Sequence, residues 1–85
     1  MMESLVVEFL GTALLVGAGA FGGGLFAVAA LALAIALGGR VSGGHFNPAV
    51  TFFKYMSGSV SQTKAMYYIG AQYCGSLLIY LLYKL

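Results

Sequence analysis

The sequence predicts an all-α membrane protein, three transmembrane helices plus one re-entrant half-helix, on three observations. Hydrophobic residues make up 61% of the 85-residue chain and charged residues only 7%, at a mean hydropathy of +0.97. Soluble chains carry about a quarter charged residues, so roughly three-quarters of the usual solubilising complement is missing. The charges are Glu3, Glu8, Arg40, Lys54, Lys64 and Lys84, which leaves residues 9–39 uncharged. Asn47-Pro48, finally, begins a helix too short to cross a bilayer. At about 20 residues per crossing, the length accommodates three spans within a single membrane domain, 1–85, and no soluble domain beside them.

The first two spans come from one apolar run. As a single helix, residues 9–39 would measure about 46 Å, well beyond a hydrocarbon core of about 30 Å. The run must fold back, and the glycine-dense stretch from Gly17 to Gly24 marks the bend. Span one is expected at about 4–20 and span two at about 23–40. Ala18-Gly19-Ala20 imitates a signal-peptide cleavage site, but no Lys or Arg precedes it and Glu8 interrupts the apolar run, so span one is expected to be retained.

The re-entrant element is expected at about 42–56. Asn47 can cap a helix by accepting from its orphan N–H groups, and Pro48 loses nothing in the first turn. Ser57-Gly58 stops this helix after about 14 Å, half a bilayer. Non-helical backbone at that depth is tolerated where it is buried in protein or lines a water-filled cavity.

The third span is expected at about 61–84. Ser61 reads as its N-cap, and Lys64 and Lys84 stand about 30 Å apart along a helix. Tyr67, Tyr68, Tyr80 and Tyr83 read as interface anchors just inside those lysines. Small residues at four-residue spacing (Ala13-Gly17 with Gly11, Ala30-Ala34-Gly38, Gly70-Cys74, Ala71-Gly75) suit close helix packing, and Cys74 reads as one of these packing residues.

Composition also excludes functions. The net charge of +2 rests on scattered basic residues, which do not form a nucleic-acid footprint. A single cysteine cannot close an intrachain disulfide, and one histidine with two glutamates cannot assemble a metal site within one chain. No cofactor is implied, and no nucleophile and base pair suggests an enzyme. A small assembly protein that oligomerises through its small-residue stripes is the competing reading from another class. It has no need of the segment from Ser42 to Thr51. A membrane-lytic protein is suggested only by size and low charge.

In Glu8-Phe9-Leu10-Gly11-Thr12, in Ser42-Gly43-Gly44-His45-Phe46-Asn47-Pro48-Ala49-Val50-Thr51, and in Ala71-Gln72 with Gly75, the sequence resembles the first half of the aquaporin, or major intrinsic protein, family. The family fold consists of two inverted repeats, each of three spans and a half-helix, whose half-helices meet at mid-membrane with their N-termini facing. One such repeat is present here. The resemblance implies an aquaporin-like channel, completed by an antiparallel homodimer around a two-fold axis in the membrane plane, with four such pairs associating as an octamer. The permeant would be water, with small neutral solutes such as glycerol.

The same resemblance assigns roles. The motif Asn47-Pro48-Ala49 would lie at the pore centre, where the Asn47 amide and the helix N-terminus present positive ends to water and oppose cations. Backbone carbonyls of Gly43, Gly44 and His45 would form the acceptor ladder. Glu8, with Thr12 from the same motif, would brace the loop near His45 and Gln72. A buried ionisable group costs about 2.5–3.5 kcal/mol on insertion scales, so Glu8 should face the bundle and be hydrogen-bonded. His45 reads as a hydrogen-bonded loop residue rather than a pH gate. The constriction would be formed by Ala27 and, from the second copy, Ile35, Gly44 and Val50, with Val50 where an arginine is usual. It would therefore be apolar and uncharged.

The expected location is the cytoplasmic membrane. Arg40, Lys54 and Lys64 lie on the side of the N-terminus and Lys84 lies opposite, a bias toward one orientation. Antiparallel pairing needs both orientations, so a separate partner half is the alternative.

Overall fold

A computed structural model describes residues 1–85 as four helices, α1 (Met2–Gly22), α2 (Gly24–Ser42), α3 (Pro48–Met56) and α4 (Gln62–Lys84). Three of them, α1, α2 and α4, are long and apolar enough to cross a membrane. The longest dimension of 37 Å suits a hydrocarbon core of about 30 Å with its interfaces.

The bend between α1 and α2 is much tighter than the glycine run suggests. Gly17, Gly19 and Gly22 all remain helical, and Gly23 alone breaks the chain, at φ 95° and ψ 179°. Only glycine adopts that conformation without strain. The other glycines stay helical because a backbone in an apolar setting has no water to take up its freed N–H and C=O groups.

Antiparallel α1 and α2 close against each other through missing side chains. A Cβ on Gly38 would collide with Val7, and Ala30, Ala34 and Gly38 are the buried positions of α2. The seam is tied at the N-terminal end by Ser4 Oγ, which donates to Val41 O at 2.9 Å. α4 runs parallel to α1. A Cβ on Gly75 would lie 2.5 Å from Phe9 O, and Gly17 sits against Ile79. The second stripe of α4 plays no such part. Nothing lies within 4 Å of a Cβ at Gly70, and Cys74 is exposed, so these two residues face outward and the expectation that Cys74 packs within the chain is corrected.

Only 15 of the 85 residues are buried, and the buried side chains are as often polar (Glu8, Thr12, Ser42, His45, Thr51, Gln72) as apolar. Large apolar side chains cover the outside instead, including Leu25, Phe26, Leu37, Phe52 and Phe53. This distribution inverts that of a soluble domain, and it fits a chain whose surroundings are lipid and protein.

Candidate functional site

The polar core is organised around Glu8. Its Oε2 accepts from Ser42 Oγ at 2.7 Å and from the His45 N–H at 3.1 Å. Its Oε1 accepts from the Phe46 N–H at 2.8 Å and from Gln72 Nε2 at 2.8 Å. Four donors fill the acceptor capacity of an ionised carboxylate, which is how a charged group tolerates complete burial without a cation. The donors come from α2, from the loop after it, and from α4. One side chain thus fixes the position of residues 42–46 relative to two helices.

The loop needs that restraint. Gly43 and Gly44 have φ of 90° and 67°, where glycine is at ease, but Phe46 has φ of 53°. A bulky residue in this region costs on the order of 1–3 kcal/mol and persists where its surroundings over-determine it. Phe46 is fully buried, its N–H is held by Glu8, and its ring occupies the space a Cβ of Gly11 would take. The twist at Phe46 delivers the chain to Asn47.

Asn47 caps α3 with extended backbone, and its Oδ1 accepts from the Ala49 N–H at 2.7 Å. Pro48 occupies the first turn. Because Oδ1 is committed to the cap, the orientation of the amide is set and Nδ2 faces away with both hydrogens unpaired within the chain. Asn47 and Ala49 are exposed and Pro48 half-buried. Thus the end of α3 offers unpaired donors at a point where its own dipole is positive. A cleft of about 220 Å³ opens there, between Thr12 and Val16 of α1 and Gln72 and Ser76 of α4. A second cleft shares Val16 and Ser76 and continues along the same two helices to Ala20 and Tyr83.

A family model of the major intrinsic proteins matches residues 20–85. The chain belongs to this family. Among curated relatives, aquaporin TIP1-2 of Zea mays is 36% identical over 98% of this chain and 41% of its own length. Aquaporin TIP1-1 of Arabidopsis thaliana is 31% identical over the same shares. Probable aquaporin TIP1-2 of Oryza sativa subsp. japonica is 48% identical over 66% of this chain and 22% of its own length. The chain therefore spans well under half the length of these relatives. No solved structure matches.

In this major intrinsic protein, an integral membrane protein, the remaining site residues lie as follows. Ile35 is exposed on α2 and touches the place a Gly44 Cβ would take, at 3.5 Å. Ala27 is two helical turns away, beside Gly19, and Val50 is exposed one turn into α3. Ile35 and Gly44 are thus brought together within the chain, while Ala27 lies farther along α2. Gly43 is exposed at the C-terminus of α2, Gly44 half-buried, and His45 buried with Nδ1 2.9 Å from Thr51 Oγ1. Thr12 is buried beside the network, its hydroxyl unpaired.

Ser42, Phe46 and Thr51 hold the loop as well, although nothing in the segment from Ser42 to Thr51 distinguishes Ser42 or Phe46 by sequence alone. Thr51 is recognisable as the polar residue one turn after Asn47, on the same helix face. Tyr68 is a correction: it is completely buried, not an interface anchor, because its hydroxyl donates to Ser42 O at 2.6 Å and its ring packs on His45, centroids 4.9 Å apart.

Proposed function

We propose that the chain is one half of a passive aquaporin-like pore for water and small neutral solutes such as glycerol. A second, antiparallel copy completes the pore, and four such pairs associate. One observation carries this reading: the exposed Asn47 amide stands at the N-terminus of a helix of only nine residues, its oxygen engaged with Ala49 and its nitrogen unpaired.

At about 14 Å, α3 crosses half of the hydrocarbon core. Its N-terminus is then at mid-membrane, where a water oxygen accepts from Nδ2 while the positive helix end opposes cations and protons. The groove between α1 and α4 beyond Asn47 is lined by Val16, Ala20, Ser76, Ile79, Tyr80 and Tyr83, and would seat the α3 of the second copy. Ala27 of one copy with Ile35, Gly44 and Val50 of the other would narrow the path without a charge. The carbonyls of Gly43, Gly44 and His45 would accept from water along it.

Pairing of this kind requires both orientations in the cytoplasmic membrane. The distribution of charge supports a second reading, a different partner half. Arg40 and Lys64 lie at the end of the bundle where Ser4 meets Val41, and Lys84 at the end where Phe21 meets Tyr83. Stopped-flow osmotic shrinkage of proteoliposomes containing this chain alone tests the pore. Water flux above that of empty vesicles is expected, and water and glycerol fluxes both equal to empty vesicles would overturn the proposal. Labelling of an engineered C-terminal cysteine from each side decides the pairing: one orientation only selects the different partner.

A further inference from the structure

Lys64 is held at its backbone and at its ammonium. Its N–H donates to Ser61 Oγ at 3.1 Å, in the cap that opens α4, and its Nζ stands over the ring of Tyr68, 5.5 Å from the centroid. Residues four apart are neighbours on one helix face, so the lysine reaches this ring along its own helix. A cation within about 6 Å of an aromatic face is attracted by the ring quadrupole. The ring in turn is fixed: Tyr68 is completely buried, its hydroxyl donates to Ser42 O at 2.6 Å, and it packs on the His45 ring with centroids 4.9 Å apart.

This seat carries a charge to the loop before Asn47. The two spacings keep the ammonium within about 10 Å of the His45 ring, one Debye length at 0.1 M salt. Lys64 is half-buried and joins no ion pair, since the only pair in the chain is that of the terminal amine with Glu3. Its charge is therefore not neutralised. Lys54 is also half-buried and unpaired, at the last turn of α3, but no aromatic ring seats it. From α1, the Glu8 carboxylate bonds the His45 and Phe46 N–H groups of the same loop, and its field favours cations there. The constriction residues Ala27, Ile35, Gly44 and Val50 bring no charge to oppose it.

We propose that Lys64, positioned by Tyr68, is a charge-selectivity residue of the pore, a fixed cation at the end of the bundle where Ser4 meets Val41, which turns cations back before they reach Asn47. The selectivity role rests on the pore reading above; the seat of the ammonium does not. In an antiparallel pair each copy brings one such ammonium, so both mouths carry it. One unscreened positive charge at about 10 Å lowers the local population of a cation about two-fold through water and about fifteen-fold at an effective dielectric near 20.

Lys64→Gln removes the charge and leaves the cap intact, because Ser61 bonds the backbone N–H. Potassium leak, chloride leak and water flux are measured in the same proteoliposomes of the full chain, at 0.1 M and at 1 M salt. At 0.1 M, potassium leak should rise about two- to fifteen-fold over the unaltered chain with no matching rise in chloride leak, whereas a loosened bundle raises both. Lys64→Arg keeps a charge that stacks on the ring and should restore the original leak. At 1 M, where the Debye length is about 3 Å, the difference should vanish. An unchanged potassium leak, or one that rises together with chloride leak, overturns the proposal and leaves the pore in place if water flux persists. Water flux of the unaltered chain equal to that of empty vesicles removes the pore reading, and this role with it.

Discussion

The ring of Phe46 lies against the bare α-carbon of Gly11, in the volume where any larger residue would place its Cβ. This contact joins the middle of α1 to the turn that presents Asn47. Phe46 cannot withdraw easily, because its backbone has φ of 53° and its N–H is bonded to Glu8.

Gly11→Ala is therefore expected to destabilise the chain by about 1–3 kcal/mol, the usual effect of overpacking a filled site. Thermal unfolding in detergent measures the loss. Because the overlap is with the loop rather than another span, water flux at permissive temperature should fall as well. Unaltered unfolding and flux would mean that the ring has room to move.

Replacing Glu8 by Gln tests the carboxylate that holds the loop. An amide offers one acceptor oxygen where two are used, and its nitrogen would confront two donors among Ser42, His45, Phe46 and Gln72. At about 1–3 kcal/mol for each orphaned donor, a loss on the order of 4 kcal/mol is expected in the same unfolding measurement. A Glu8→Gln chain as stable as the original would show that the four bonds are individually dispensable.

The two glycine stripes of α4 give a paired comparison. Gly75→Ala puts a methyl 2.5 Å from Phe9 O and 3.1 Å from Ala13 N, both rigid backbone, so α1 and α4 must separate. Gly70→Ala meets nothing within the chain, and the gain in helix propensity is worth about 1 kcal/mol. Gly75→Ala should lower the unfolding midpoint and Gly70→Ala leave it level or raised. If Gly70→Ala instead reduced assembly on cross-linking, the outward stripe would be a contact between copies.

Local chemistry explains what could be read without a structure. The caps at Asn47 and Ser61 follow from side chains accepting from nearby backbone N–H groups, at Ala49 and Lys64. Span number followed from hydropathy alone. Other features depend on which helix lies opposite, and periodicity is silent there. Tyr67 and Tyr68 are adjacent and chemically identical, yet one is exposed and the other sealed beneath Ser42. Gly70 and Gly75 look alike as stripe members until α1 is in place. The run from Gly17 to Gly24 looked like a bend because glycine breaks helices in water, but an apolar environment keeps all but Gly23 helical.

Asn47→Asp separates the cap from the pore. The aspartate retains the oxygen that accepts from Ala49, so unfolding should shift by less than about 0.5 kcal/mol. The unpaired amide hydrogens are replaced by negative charge at the positive end of α3, which attracts the cations the amide opposes. Ion leak through proteoliposomes should rise with little change in stability. Ion conductance identical to that of the unaltered chain would argue against a central field at Asn47.

Val50→Arg addresses solute size. Val50 is exposed one turn into α3, so the longer side chain has room within the chain and the fold should be preserved. In a paired pore it would extend toward Ala27 of the other copy, adding bulk and positive charge to a constriction that has neither. Glycerol flux should drop several-fold more than water flux, since water is small enough to pass a narrowed mouth and can accept from the guanidinium. Equal losses would indicate a collapsed pore, and no loss of either would place Val50 outside the permeation path. The outcome therefore bears on pairing too, because the constriction is complete only where Ala27 of a second copy faces Val50.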